Sequence, residues 1–382
     1  MKNKGICIIT EEKIPPVQRF SLSLKLAENL APDLDVHLIS LSDNPEVSIM
    51  GVNFYGVKVK NWDLFSLKKR IIANLKLTHK VCQVCAKNKI DLIYGWWPVA
   101  FISALICRKK YCVDMPEFLE EMYRSFKQPF TGTMNRILKF VQIQAAKKSE
   151  FVIVESEIAQ NEWIKRGVVK NKINYAPYGV ETELFEINHH DGIRERYKIP
   201  DDSMLLMYHG DIGFDDGVDL LVQATNSLDV YFLCIGDGPV HYMNKIKKIA
   251  GAKTFFTGWI PYSKIPQFLS DADIYIAPFR NTNYTNSTIP LKQMEAMAAG
   301  RPTICSRLIT FSKYVEDKYD IRLFDPGNIE QLKQIISELA DNKEMRLLLG
   351  RNARLTAKAK FNWQNRIQFE SKILKDIINK VD

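Results

Sequence analysis

What the 382-residue chain lacks narrows the possibilities first. It has no apolar run near the roughly 18–20 residues needed to cross a bilayer. The amino-terminal run Gly5 to Thr10 meets Glu11 and Glu12 too soon for a signal-peptide core, so it reads as a buried first strand. A cytoplasmic protein is therefore expected. The six histidines form no H-E-x-x-H, and no metal site is expected. A G-x-S-x-G elbow is absent, which argues against a hydrolase of that type. No zinc-finger, RNA-binding or helix-turn-helix signature supports a nucleic-acid partner. The seven cysteines are odd in number, and the single C-x-x-C at Cys82 and Cys85 has no second pair. It lies in a helical stretch, so buried helix cysteines are preferred to a redox or zinc motif.

What is present is ordinary for a large globular chain: 46% hydrophobic and 25% charged residues. The charge is unevenly placed. Residues 1–178 hold 27 Lys+Arg against 17 Asp+Glu, and the remainder holds 26 against 27. A basic first half fits an anionic partner such as a membrane surface or a lipid-linked phosphate. A solvated basic surface fits equally. Residues 67–80 and 136–148 mix basic and apolar residues at helical spacing. Such helices either lie on anionic lipid, on the inner face of the membrane, or face the core with a basic outer stripe.

Strand-length apolar runs alternate with helical patterns throughout. Runs at 5–10, 35–41, 52–59, 91–96, 110–115 and 151–156 make a first set. Runs at 204–210, 229–236, 253–259, 273–279, 302–306 and 321–324 make a second. Strands this apolar are buried on both faces, which implies parallel sheets covered by helices. Between the sets, residues 185–200 are polar. The expected organisation is a Rossmann-like domain over 1–185, a second over 186–360, and an amphipathic carboxy-terminal helix over 361–382. Ligands of such sheets bind beyond the carboxyl ends of the strands.

The stretch from Asn286 to Ser306, NSTIPLKQMEAMAAGRPTICS, carries the most chemistry. It reads as a loop feeding a helix, then a tight turn into a strand. Ser287 or Thr288 can cap the helix, Pro290 suits its first turn, and Gly300 ends it. The helix start offers N–H groups and a positive dipole end to an anion. Lys292 in the first turn opposes the dipole unless an anion lies nearby, and Glu295 follows on the same helix.

This stretch resembles the donor-binding segment of family-4 retaining glycosyltransferases (glycosyl transferases group 1), whose pattern is E-A-M-A-x-G-x-P; here it runs from Glu295 to Pro302. Further segments resemble the family in order: Gly236-Asp-Gly-Pro239, Phe256-Thr-Gly258-Trp259-Ile260-Pro261, the strand after Ser270-Asp-Ala-Asp273, Tyr178-Gly-Val-Glu181 and Phe361-Asn-Trp363. The resemblance implies a GT-B fold of two doubly wound parallel-sheet domains facing across a cleft, with the helix over 361–382 crossing back to the first domain. It implies transfer of a hexosyl group from a nucleoside diphosphate sugar to a polysaccharide or lipid-linked glycan acceptor, with retention and without a metal or other cofactor. On this reading Glu295 holds the ribose, and His209, Gly210, Gly236, Gly258, Trp259, Ile260, Ser287, Thr288, Ile289, Pro290 and Leu291 line the donor site.

The chain also departs from the family. The position eight before Glu295, where many members have a second glutamate, does not hold one; Ser287 stands at the corresponding place. The usual diphosphate cations are replaced by Asp211 and Asp216. Lys292, Arg280 and Arg301 are the expected substitutes. The loop after the first strand, 11–19, has prolines instead of glycines, and its Arg19 is either an acceptor contact or a surface residue. Asp114, with Glu117 second, occupies the strand end that faces the reacting sugar in the family; a helix-capping role is the alternative. Trp96 is either a sugar-stacking platform or core. Two other functions stay open: a catalytically degenerate binding subunit and a sugar-nucleotide epimerase.

Overall fold

The computed structural model describes residues 4–14, 21–43, 47–60, 67–115, 132–186 and 192–380. Arg19 and Glu117 lie outside them. The chain forms two compact units, one of residues 1–120, 130–177 and 364–382, the other of 121–129 and 178–363.

The first unit is built on a seven-stranded sheet. Its strands are β1 (Gly5–Lys13), β2 (Asp35–Leu41), β3 (Val52–Val57), β4 (Leu92–Trp96), β5 (Lys110–Asp114), β6 (Phe151–Val154) and β7 (Ile173–Tyr175). Their order is β3-β2-β1-β4-β5-β6-β7, and every pairing is parallel. Helices lie between successive strands except from β2 to β3, where no helix is present among the described residues. Strand β7 was not expected. Its three residues, Ile-Asn-Tyr, are too few and too polar to stand out as an apolar run.

The carboxy-terminal helix Trp363–Asn379 belongs largely to this unit. It buries Leu374 and Ile378 in the cluster of Ile6, Ile8, Leu92 and Ile153. It also buries two charges, Arg366 and Glu370, which are 3% and 0% exposed. Arg366 donates through Nε to Glu370 at 2.5 Å and through Nη2 to Asp114 at 3.1 Å. The Tyr94 hydroxyl donates to the other Glu370 oxygen at 2.9 Å. Buried ions persist only where partners replace their lost water, and this network supplies them.

The second unit has six strands: β8 (Leu205–His209), β9 (Tyr231–Ile235), β10 (Thr254–Gly258), β11 (Ile274–Ala277), β12 (Thr303–Ser306) and β13 (Arg322–Phe324). The order is β10-β9-β8-β11-β12-β13, again all parallel. Alternate residues of β8 serve opposite faces. Leu205 and Met207 enter one core, while Leu206 and Tyr208 enter the other. The chain reverses direction across the sheet between β8 and β11, so the crevice beyond their carboxyl ends is the place for a ligand. Two parallel-sheet, Rossmann-like units are thus present, the fold class read from the sequence.

Candidate functional site

The carboxyl end of β8 supplies Tyr208, His209 and Gly210. Gly210 has φ +116°, a region that excludes most side chains, and a Cβ there would lie 3.0 Å from Lys292 Cε. The bare glycine therefore lets the lysine stem lie across the strand end. Gly236, ending β9, is closer still to its neighbour. At φ +125° its missing Cβ would fall 1.9 Å from the Gly210 carbonyl oxygen.

Lys292 and Glu295 come from the helix Leu291–Ala298. The start of this helix differs from expectation. Its N-cap is Pro290, with no side-chain hydrogen bond, whereas Ser287 and Thr288 belong to the preceding short helix Asn283–Ser287 and its end. Ser287 Oγ donates to Tyr284 O at 2.9 Å, and Thr288 Oγ1 to Thr285 O at 3.5 Å. Both hydroxyls point back into their own turn because Pro290, lacking an N–H and fixed in φ, starts the next helix afresh. Gly300 does end the helix, at φ +68°. Ile289 is buried at 2% in the core, and Leu291 is partly buried against it.

Lys292 Nζ has three donors and reaches three oxygens. These are Asp216 Oδ1 at 2.6 Å, Tyr208 Oη at 2.5 Å and the Asp211 carbonyl at 3.2 Å. The Tyr208 hydroxyl in turn donates to the Asp211 carbonyl at 2.5 Å. Burial, with the Asp216 charge adding to it, pushes the Tyr208 hydroxyl well above its ordinary pKa, so it keeps its proton. Asp216 also accepts from Gly213 N–H at 2.8 Å, which fixes the 211–217 turn. A negative residue thus stands where the family's cation is usual, and the cation comes from the opposite side.

Glu295, 7% exposed, is held by two donors. His209 Nε2 lies 2.6 Å from Oε2, and the Tyr262 hydroxyl donates to Oε1 at 2.9 Å. His209 Nδ1 is buried without a hydrogen-bond partner among the described residues. The imidazole packs against Tyr275, ring centroids 5.2 Å apart. The Tyr262 contact has no signature in the sequence, since a lone tyrosine after a proline has no motif.

The other expected cations are engaged elsewhere. Arg280 donates to Asp219 at 2.8 Å and to Phe214 O at 2.5 Å, and stacks on Phe214 at 4.1 Å. Burial alone would raise the Asp219 carboxyl. Hydrogen bonds from Arg280 and Tyr242 outweigh that and hold it below its usual pKa. Arg280 therefore braces the 211–217 turn against the helix Val218–Thr225. Arg301 binds the Ser270 and Ala272 carbonyls at 3.1 and 3.2 Å. Those carbonyls precede β11, at the amino edge of the sheet. Arg301 is thus on the wrong edge for the ligand crevice, and the expectation of a diphosphate contact is corrected.

Gly258 ends β10 with an open side at φ +71°, Trp259 is 53% exposed, and Ile260 rests on the core. In the first unit Trp96 ends β4 and Trp97 begins the next helix. Asp114 ends β5 and is tied to Arg366.

Comparison with known proteins follows the same lines. Residues 204–342 match the family model described as Glycosyl transferases group 1. An uncharacterized glycosyltransferase of Methanocaldococcus jannaschii is 25% identical over 244 residues, covering 61% of this chain and 60% of the relative. Sulfoquinovosyl transferase SQD2 of Arabidopsis thaliana is 23% identical over 330 residues, covering 81% and 62%. The chain spans about three fifths of the length of these two relatives. A capsular polysaccharide biosynthesis glycosyltransferase, CapM of Staphylococcus aureus, is 22% identical with 95% of both chains covered. Among solved structures, sucrose-phosphate synthase of Thermosynechococcus elongatus superposes with TM-score 0.77 at 17% identity, covering 99% of this chain and 100% of that one. Anabaena HepE, in complex with UDP and glucose, gives 0.75 at 16%, covering 97% and 99%. The chain has the GT-B fold and resembles glycosyl transferases group 1, whose family pattern its second unit carries over residues 204–342.

Proposed function

We propose that the protein is a retaining glycosyltransferase that moves a hexosyl group from a nucleoside diphosphate sugar to the hydroxyl of a polysaccharide or lipid-linked glycan. The observation that carries this reading is the pairing of a cation and a carboxylate one turn apart, Lys292 and Glu295, both reaching the carboxyl end of β8. Lys292 suits a diphosphate and stabilises its charge as it leaves. Glu295, held by His209 and Tyr262, suits the two ribose hydroxyls, because a carboxylate only accepts. The groups named need no metal. Asp114 remains the proposed residue facing the reacting sugar, and Trp96 and Arg19 the proposed acceptor contacts.

The test is calorimetric titration of the full chain with UDP and GDP, alongside transfer assays with a panel of nucleotide sugars. One nucleotide is expected to bind, and Glu295→Ala to weaken it about 10- to 100-fold, the worth of one to two hydrogen bonds to a charged group. Full affinity in that variant would refute the ribose assignment. Binding of neither nucleotide would favour the degenerate-subunit reading, and product from the nucleotide sugar alone an epimerase.

We further infer that the first unit rests on an anionic membrane surface. The helices Leu67–Lys87, Trp97–Cys107 and Gly132–Lys148 neighbour one another on one side of its sheet. They expose Ile71, Leu75, Leu105, Ile106, Ile137 and Phe140, with Lys76, Arg136 and Lys139 exposed beside them. Exposed apolar side chains on neighbouring helices, with exposed basic residues on the same helices, fit the lipid boundary. No described helix is long and apolar enough to span it. Co-sedimentation with phosphatidylserine vesicles is expected, with roughly a tenfold loss in a Leu75→Glu, Phe140→Glu variant. Equal sedimentation of the two proteins would remove the inference.

A further inference from the structure

Three thiols meet where the helix Leu67–Lys87 packs on the helix Trp97–Cys107. Cys82 and Cys85 lie one turn apart on the first, and Cys107 is the last residue of the second. Cys107 Sγ stands 3.4 Å from Cys82 Sγ and shares a further hydrogen bond with Cys85. All three are half-exposed, unlike Cys7, Cys112, Cys234 and Cys305, which are buried. The expectation that Cys82 and Cys85 are buried helix cysteines is therefore corrected: both lie on a helix but are partly exposed. Two of the three sulfurs already touch. Among the described residues no group of three or more His, Cys, Asp or Glu is arranged to hold a metal ion, so the pairwise thiol contact is the chemistry the geometry offers.

We propose that Cys82 and Cys107 form a reversible disulfide that staples these two helices, which two molecules of a small thiol reopen by the reverse exchange, leaving R–S–S–R. The oxidant is a low-molecular-weight disulfide, R–S–S–R. One protein thiolate attacks it, forming a mixed disulfide and releasing one RSH. The second protein thiol attacks the protein sulfur of that mixed disulfide and releases the other RSH. Two thiols are oxidised, one small disulfide is reduced, and the protons end on the two RSH molecules. The sulfurs must close from 3.4 Å to the bonded distance of about 2.05 Å, a small adjustment between side chains on adjacent helices. The residues are 25 apart in sequence, so the bond closes a loop long enough to stabilise the unit by restricting its unfolded state. The helices it joins are those exposing Ile71 and Leu75 on one and Leu105 and Ile106 on the other. The staple would fix the relative positions of those side chains. Burial, with the Cys107 hydrogen bond adding to it, holds the Cys82 thiol up at about 11, so exchange is slow at neutral pH and quickens as pH rises.

The experiment incubates the full chain with oxidised glutathione at pH 8.5, blocks residual thiols with N-ethylmaleimide, and maps peptides by mass spectrometry. The expected product joins the peptides carrying Cys82 and Cys107. Its formation raises Tm by roughly 5–10 °C, and dithiothreitol reverses both. Cys82→Ser and Cys107→Ser each abolish the cross-link and the Tm rise, whereas Cys234→Ser retains both. In Cys85→Ser the cross-link and the Tm rise are both retained. A dominant Cys85–Cys107 or Cys82–Cys85 link overturns the assignment, as does a product limited to glutathione adducts or a fully alkylated protein.

Discussion

Lys292→Ala is expected to lower kcat/KM for sugar transfer by roughly 10²–10³-fold, with most of the loss in kcat. The ammonium stands at the carboxyl end of β8, where charge on a departing diphosphate would grow. A group that stabilises developing charge contributes more in the transition state than in the bound donor. In the resting protein, Asp216 takes the place of that anion, 2.6 Å from Nζ. The two side chains are 15% and 17% exposed, so their attraction is only partly screened. A diphosphate must compete with Asp216 for the same ammonium. Asp216→Asn removes the competitor while keeping a side chain of the same size to receive the Gly213 N–H. That variant is expected to bind nucleoside diphosphate more tightly, about 3- to 10-fold, and to release it more slowly. The two variants thus shift nucleotide affinity in opposite directions, which a purely structural ion pair would not do. Steady-state kinetics with titration of the nucleotide product reads both. If Asp216→Asn and Lys292→Ala weaken binding alike, the pair is scaffolding for the 211–217 turn, and the charge-competition account fails.

Sequence alone revealed much of this, but not the pairing. Strand positions were legible because a strand buried on both faces is a continuous apolar run, as in Leu205–Tyr208 and Ile274–Ala277. The two-sheet organisation followed from their spacing. β7 escaped because three residues with a central asparagine carry no such pattern. Lys292 and Glu295 could be singled out because they sit in a helix bounded by proline and glycine. Their partners could not be. Asp216 lies 76 residues from Lys292, and His209 lies 86 from Glu295. Nothing local distinguishes a carboxylate that faces a lysine across the sheet end from one in solvent. Asp211 and Asp216 therefore read as lost cations, when Asp216 is an ion-pair partner and Asp211 lends its carbonyl. Arg280 and Arg301 were legible as charges but not as structural ties, because their partners are mostly backbone carbonyls that the fold alone brings near.

The same blindness to long-range pairing hid the charge network beneath the carboxy-terminal helix, and it leads to the largest stability effect expected here. Arg366→Met should destabilise the protein by about 3–5 kcal/mol, the cost of removing one partner from a buried ion pair. Glu370 is fully buried and, among the described residues, would keep the Tyr94 hydroxyl as its neutral donor, while Asp114 would lose its ion pair with Arg366. Tyr94 cannot relieve this by ionising. Burial, with the Glu370 and Asp114 charges adding to it, pushes its hydroxyl well above the ordinary range. For units of this size the penalty corresponds to a fall in Tm of roughly 6–20 °C by calorimetry on the full chain. The double variant Arg366→Met, Glu370→Met should recover part of that loss, because two apolar side chains of similar volume carry no desolvation penalty while the buried Tyr94 hydroxyl loses its acceptor. It would leave Asp114 without its cation, and a carboxylate freed from Arg366 is a different group for any reacting sugar. Stability restored with transfer still impaired would assign Arg366 the positioning of Asp114. Stability and transfer restored together would mean the network serves folding alone and that Arg366 does not position Asp114.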